Sequence, residues 1–139
     1  MAQRQLQCEV ITPEKIIYEG KVDMVVAPGA AGELGILPLH MPIVTTLRVG
    51  ELRLKHGEDQ QDYIAIDGGY MEVSEDKVTI LADAAEYASK MDIAEVNKVK
   101  EEIEARLASI PKDSDEFFTA TAELERAVNR LSIAQRRAK

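Results

Sequence analysis

The stretch Gly29–Pro42, GAAGELGILPLHMP, constrains this chain more than any other. Three glycines fall at a spacing of three (Gly29, Gly32, Gly35), and two prolines, Pro38 and Pro42, bracket His40. Glycine at that density marks backbone that turns tightly or takes φ > 0, and the prolines cannot sit inside a paired central strand. Between them lies the apolar run Leu34-Gly35-Ile36-Leu37. The reading is a rigid, shaped surface loop with a hydrophobic tip, the kind of segment that makes contacts. A phosphate cradle is excluded, because no Lys-Ser/Thr follows the last glycine and the prolines stop a helix from starting there.

The residues on either side of the loop alternate. Leu6, Cys8 and Val10 interleave with Gln5, Gln7 and Glu9, the period of a half-buried strand. After a turn at Thr12-Pro13-Glu14-Lys15, Ile16-Ile17-Tyr18 reads as a short strand ended by Gly20, and Val22, Met24 and Val26 alternate up to Pro28. Ile43–Leu47 and Leu52–Leu54 read as two short strands split at Val49-Gly50. His56–Gln60 is a hairpin tip, and Asp67-Gly68-Gly69 a second turn between Tyr63–Ile66 and Met71–Val73. Val78, Ile80 and Leu81 complete the set. About ten short strands with such punctuation predict a β-sandwich over residues 1–86, and roughly 85 residues suffice for one buried core. Cys8 shares a face with Leu6 and Val10, so it reads as a small core residue and not a nucleophile.

Near Glu86 the pattern changes. Residues 1–86 hold seven Lys/Arg against fifteen Asp/Glu, residues 87–139 ten against ten, and all eight glycines lie at or before Gly69. From here the apolar period is three to four. Ile93, Val96, Val99, Ile103, Leu107 and Ile110 form one stripe; Phe117, Thr121, Leu124, Val128 and Leu131 form another. Asp92 with Glu95 resembles a capping box, and Asp113 or Ser114 caps the second helix beyond Pro111. Residues 87–139 are thus predicted to form an antiparallel helical hairpin, too small to stand alone and therefore the mobile part of the chain. Past Glu125, the cations Arg126, Arg130, Arg136, Arg137 and Lys139 meet no acid. A helix C-terminus favours one or two cations in its last turn, which does not account for Arg126 and Arg130 one turn apart within the helix.

Functional classes narrow from the same residues. The net charge of -8 argues against nucleic acid. No run nears the ~18 apolar residues of a membrane span, and the N-terminal stretch MAQRQLQCEV has no apolar signal core. A lone cysteine suits a reducing compartment and gives neither disulfide nor thiol metal cluster. His40 and His56 have no triad or metal spacing around them, so no catalytic residue and no metal ligand is assigned, and the sandwich reads as a binding module.

The pattern G-x-x-G-x-x-G-I-L-P-x-H-x-P (Gly29–Pro42), then Leu47, Gly50 and Leu52, then Gly68, Gly69 and Val73, then Val78, Ile80, Leu81 and Asp83, and finally Asn129-Arg130-Leu131, resembles the epsilon-subunit family of F-type ATP synthases over essentially the whole chain. The resemblance implies a non-catalytic central-rotor subunit with gamma, the ring of c subunits and the alpha/beta catalytic head as partners. It implies a hetero-oligomer peripheral to the membrane, on the cytoplasmic face of the bacterial plasma membrane or on a plastid thylakoid. It assigns Ala30, Glu33, Leu34 and Met41 to the ring and His40 to gamma, and makes the hairpin a regulator of ATP hydrolysis. No cofactor is implied beyond ATP, which some members bind through I/L-D-x-x-R-A. Here the aligned stretch is Ile93-Ala94-Glu95-Val96-Asn97-Lys98, with Ala94 and Asn97 replacing the Asp and Arg, which implies weak binding or none. Asp92 fills the acidic role only after a register change, and Arg126 and Arg130 remain as nucleotide or acidic-partner contacts. The competing reading is a free-standing ligand-binding sandwich with the hairpin as a nucleotide-sensing lid.

Overall fold

The period-two stretches pair as the sequence predicts, but three strands run on through the predicted breaks. The computed structural model describes residues 4–137, so Lys139 among the terminal cations lies outside the described residues. Eight strands are present among them: β1 (Leu6–Ile11), β2 (Ile16–Val22), β3 (Met24–Gly29), β4 (Gly32–Ile36), β5 (Ile43–Lys55), β6 (Gln61–Ser74), β7 (Lys77–Ala82) and β8 (Ala85–Tyr87). β5 and β6 are 13 and 14 residues long, each replacing two of the expected short strands. β2 likewise continues through Gly20 to Val22, and β4 is a strand where a loop was predicted.

The long strands make the two layers. The order is β2-β1-β7-β6-β5-β3-β4, with β1 and β7 parallel and β8 on β6. β7 pairs with Gly69–Ser74 of β6, and β8 with Ile64–Ile66, so the two halves of β6 serve opposite layers. Inward-facing residues change phase where it crosses: Ile64 and Ile66 are buried, then Met71 and Val73. β5 slips in the same way between Leu47 and Leu52. A one-residue slip turns every later side chain to the other face, which is what a strand needs when it passes from one layer to the next. Gly69 sits at this corner with φ 140°, and a Cβ there would strike the Leu81 carbonyl oxygen. Pro28 lies within β3, and because it has no N–H the ladder to β5 is irregular between Val26 and Gly29.

The core between the layers is aliphatic: Leu6, Val10, Val22, Val25, Ile36, Leu52, Leu54, Ile64, Ile66, Met71 and Ile80 are fully or almost fully buried. Cys8 lies among them, and burial pushes its thiol up to about 12, which leaves it inert as a nucleophile.

The chain divides into two compact units after Tyr87. The second holds a short 3₁₀ turn (Ala88–Lys90), α1 (Ile93–Leu107) and α2 (Asp115–Arg136). Asp92 and Ser114 are the N-caps, accepting from the Glu95 and Phe117 amides at 3.2 Å each. The buried face of α2 differs from the predicted stripe. Ala120, Ala127, Leu131 and Ala134 are buried, whereas Thr121 and Val128 are exposed. Alanines at that spacing let a neighbour approach closely, and a pattern read from large side chains alone passes over them. Arg106 of α1 pairs with Glu123 of α2 across the hairpin.

Candidate functional site

The glycine–proline segment divides into a hairpin and a crossing loop. β3 and β4 pair from Val25↔Ile36 at the base to Gly29↔Gly32 at the tip, with Ala30 and Ala31 as the turn. Of the three glycines only Gly32 takes positive φ, 137°. Ala30 is exposed, and its amide donates to the Thr46 carbonyl at 3.0 Å. Glu33 is exposed and forms an ion pair with Arg53 at 3.2 Å. Leu34 is half-buried and packs on the core, so it is not the apolar tip. The loop 37–42 leaves from the base of the hairpin. Ala30 and Glu33 therefore lie at the opposite end from His40 and Met41, roughly 13–17 Å along a five-residue strand. The structure does not bring the five predicted residues into one cluster.

The crossing loop carries the exposed apolar side chains. Pro38 and Leu39 occupy the centre of a β-turn closed by the His40 amide donating to the Leu37 carbonyl at 3.2 Å. Leu39 has φ 67°, at the turn position where glycine is the usual residue. His40 is half-buried, with Nδ1 2.7 Å from the Met41 carbonyl oxygen. Because a carbonyl only accepts, Nδ1 is the protonated nitrogen in that contact. Leu37, Leu39 and Met41 are 55%, 67% and 79% exposed.

The apolar surface continues onto the outer face of the first layer, the one formed by β2, β1, β7 and the Gly69–Ser74 and Ile43–Leu47 halves of β6 and β5. Val44, Tyr70 and Leu81 are exposed there, with Tyr70 directly opposite both Thr46 and Leu81 in the register. An open groove of about 310 Å³ runs along Pro42, Ile43, Val44, Glu72, Val73 and Ser74. Sequence reasoning missed this face, although the signal was present. Ile43-Val44 and Ile80-Leu81 are adjacent apolar pairs in period-two strands, so one member of each must point outward.

Two aspartates tie down the loops at this end. Asp76, in the turn between β6 and β7, accepts from Arg4 Nε at 2.8 Å and from the Leu39 amide at 3.0 Å. The Arg4 guanidinium, then the Leu39 amide, hold its carboxyl below the ordinary range. Asp23 accepts from the Gly57 amide at 2.8 Å and Gln5 Nε2 at 3.1 Å, and these same donors lower its pKa. His56, in the β5–β6 turn, pairs with Asp62 at the start of β6 at 2.9 Å.

No three His, Cys, Asp or Glu side chains converge as metal ligands among the described residues. A second depression, lined by Thr12–Lys15, Ile17 and Asp83–Ala85, holds about 140 Å³, well below the ~300 Å³ at which small-molecule pockets begin. In the helical unit Asp92 is committed to capping α1, and Asn97 donates to Glu101 at 3.1 Å. Arg126 and Arg130 are half-buried and Arg136 is exposed. No described helix is long and apolar enough to cross a membrane.

Comparison with known proteins covers both units. Residues 5–88 match the family described as ATP synthase, Delta/Epsilon chain, beta-sandwich domain, and residues 89–135 its long alpha-helix domain. The ATP synthase epsilon chain of Syntrophobacter fumaroxidans is 47% identical over 132 residues, covering 95% of this chain and 97% of the relative. That of Halalkalibacterium halodurans is 46% identical over 131 residues, covering 94% and 98%. Among solved structures, a chain of the Euglena gracilis mitochondrial ATP synthase OSCP/F1/c-ring assembly aligns with a TM-score of 0.79 at 22% identity, covering 94% of this chain and 81% of that one. A chain from the Tetrahymena thermophila mitochondrial ATP synthase central stalk and c-ring gives 0.59 at 15%, covering 96% and 99%. At such identities the structural likeness concerns the fold.

Proposed function

The chain belongs to the delta/epsilon family of ATP synthase, and on that premise we propose that it is a non-catalytic subunit of the central rotor, coupling the c-ring to gamma. It has no active site of its own and works by holding partners together. The observation that carries this reading is the run of exposed apolar side chains Leu37, Leu39, Met41, Val44, Tyr70 and Leu81. Apolar area of that extent on one end and one face of a small sandwich suits permanent partners better than solvent. The ring is met at two separate points, by Met41 of the crossing loop and by Ala30 and Glu33 at the far end of the hairpin; Leu34 supports the tip from the core side. His40 and the outer face of the first layer meet gamma. The protein is peripheral to the membrane, on the cytoplasmic face of a bacterial plasma membrane.

The helical unit regulates ATP hydrolysis. Folded, it permits turnover; extended, α2 presents Arg126, Arg130 and Arg136 to an acidic surface of the catalytic head. ATP is not a tight ligand of this hairpin, because Ala94 and Asn97 supply no acid and no cation and Asp92 is occupied as a cap.

Co-purification tests the rotor reading. The chain mixed with gamma and a detergent-solubilised c-ring should elute as one complex on size exclusion, and Tyr70→Glu with Leu81→Glu should release it while remaining folded. Separate elution of the unaltered chain contradicts the proposal.

A further inference from the structure

The crossing loop holds a contradiction that a free surface segment would resolve by relaxing. Leu39 takes φ 67°, a region that a leucine enters only against steric resistance. Strain of that kind is commonly stabilised by burying the side chain, yet Leu39 is 67% exposed. Its neighbours Leu37 and Met41 are exposed as well. Pro38 and the bond from the His40 amide to the Leu37 carbonyl favour the turn from within. Burial adds nothing to offset the strain at Leu39, so a bond from outside the loop contributes to holding it.

The contact from outside the loop that holds the turn is Asp76. Its Oδ1 accepts the Leu39 amide at 3.0 Å, and its Oδ2 accepts Arg4 Nε at 2.8 Å and Nη2 at 2.7 Å. The Gln7 amide donates to the Asp76 backbone carbonyl at 2.7 Å, fixing the carboxylate's own position. Asp76 stands in a two-residue turn between Ser74 and Lys77, where Glu75 also takes positive φ, 53°. The carboxylate thus joins three otherwise separate segments: the residues before β1, the β6–β7 turn and the crossing loop. A charged acceptor makes the stronger class of hydrogen bond, and one held by an arginine fork is also fixed in direction.

We propose that Asp76, braced by Arg4, is a positioning residue that holds the loop 37–42 in the conformation in which Leu37, Leu39 and Met41 meet the rotor partners. This deepens the docking role proposed above and rests on it. Asp76 makes no contact itself; it lets the partner bind a loop already in shape. If removing the carboxylate lowers the population of the competent loop to about a tenth, the apparent dissociation constant rises about tenfold with every contact residue intact.

The test measures binding of full-length variants to a purified gamma–c-ring subcomplex in detergent, alongside amide hydrogen exchange of each free variant. Asp76→Ala should lose exchange protection at Leu39 and His40, keep it in β5 and β6, and bind about tenfold more weakly. Asp76→Asn keeps one acceptor oxygen, enough for the Leu39 N–H or for Arg4 but not for both, so its protection and its affinity should together lie between those of the parent and Asp76→Ala. Parental affinity in Asp76→Ala with Leu39 protection gone overturns the proposal, as does weakened binding with protection intact. Leu37→Ser and Met41→Ser separate the two ideas. If both bind as tightly as the parent, the loop is not at the interface and the docking role of the loop falls. If both weaken binding while Asp76→Ala does not, the latch alone falls.

Discussion

Replacing Gly69 by alanine should cost this sandwich more than any other single methyl group placed on its glycines. Gly69 takes φ 140°, where an L side chain is strained by about 1–3 kcal/mol whatever the space around it. Space is also lacking: the new Cβ would press on the Leu81 carbonyl oxygen and lie 2.9 Å from Ala82 Cα, both backbone atoms of the paired strand β7. Neither can swing aside as a side chain would, so the corner at which β6 changes layers must open. Together these effects put the loss at about 3–5 kcal/mol, at the upper end of point-mutant costs. For a domain this small each kcal/mol lowers the midpoint by about 4–8 °C, so Gly69→Ala should melt at least about 12 °C early by circular dichroism. Gly57→Ala is the control. Gly57 also has positive φ, 77°, but its nearest obstacle is Gln60 Oε1 at 3.8 Å. It should lose only the left-handed penalty, about 1–2 kcal/mol. Equal melting points for the two variants would refute the assignment of Gly69 as the corner.

Titration calorimetry should find no ATP binding tighter than about millimolar, worth only ~4 kcal/mol, while Ala94→Asp with Asn97→Arg should strengthen it. Deleting residues 126–139 should raise ATP hydrolysis by the reconstituted enzyme without preventing assembly. Reversing charge at Arg126 and Arg130 should do the same at low salt and progressively less as salt screens the pairing, the Debye length being ~10 Å at 0.1 M. Acid should loosen the end of the sandwich held by Asp23 and Asp76. Both carboxyls are lowered from 3.8, so their contribution is present above that value and is lost as pH falls through the lower folded values. Urea midpoints from pH 5 to pH 2 should therefore fall more steeply for the parent than for Asp23→Asn with Asp76→Asn.

Alternation and turn chemistry carried most of the β-sandwich, because a half-buried strand writes its period directly into the side chains. What stayed hidden was continuity. Asp67-Gly68-Gly69 and Val49-Gly50 read as ends of strands, since glycine next to a break in alternation looks the same whether the chain turns or only slips phase. The distinguishing feature was the phase itself: Ile64 and Ile66 are even-numbered, Met71 and Val73 odd, and a slip of one residue is what a layer change requires. In the helices the large side chains drew attention from Ala120, Ala127 and Ala134, whose value lies in being small. For the candidate site, the glycine–proline segment was visible as a shaped element, but its partners were not. Nothing local in Arg4 or Asp76, separated by 72 positions, announces that they fix a loop around Leu39. Long-range hydrogen bonds of this kind leave no periodicity to read.

The most direct measurement places a photo-activated cross-linker at Met41 in the assembled, membrane-bound enzyme and identifies the captured peptide by mass spectrometry. Met41 is 79% exposed on the isolated chain, so any capture in the assembly reports a partner. Captured peptides should come from the polar loop of a c subunit or from gamma, and none should appear when the same label is carried at Glu14, exposed in the β1–β2 turn. A label at Met41 that reacts only with solvent or with its own chain, in an enzyme that still pumps protons, contradicts the rotor reading.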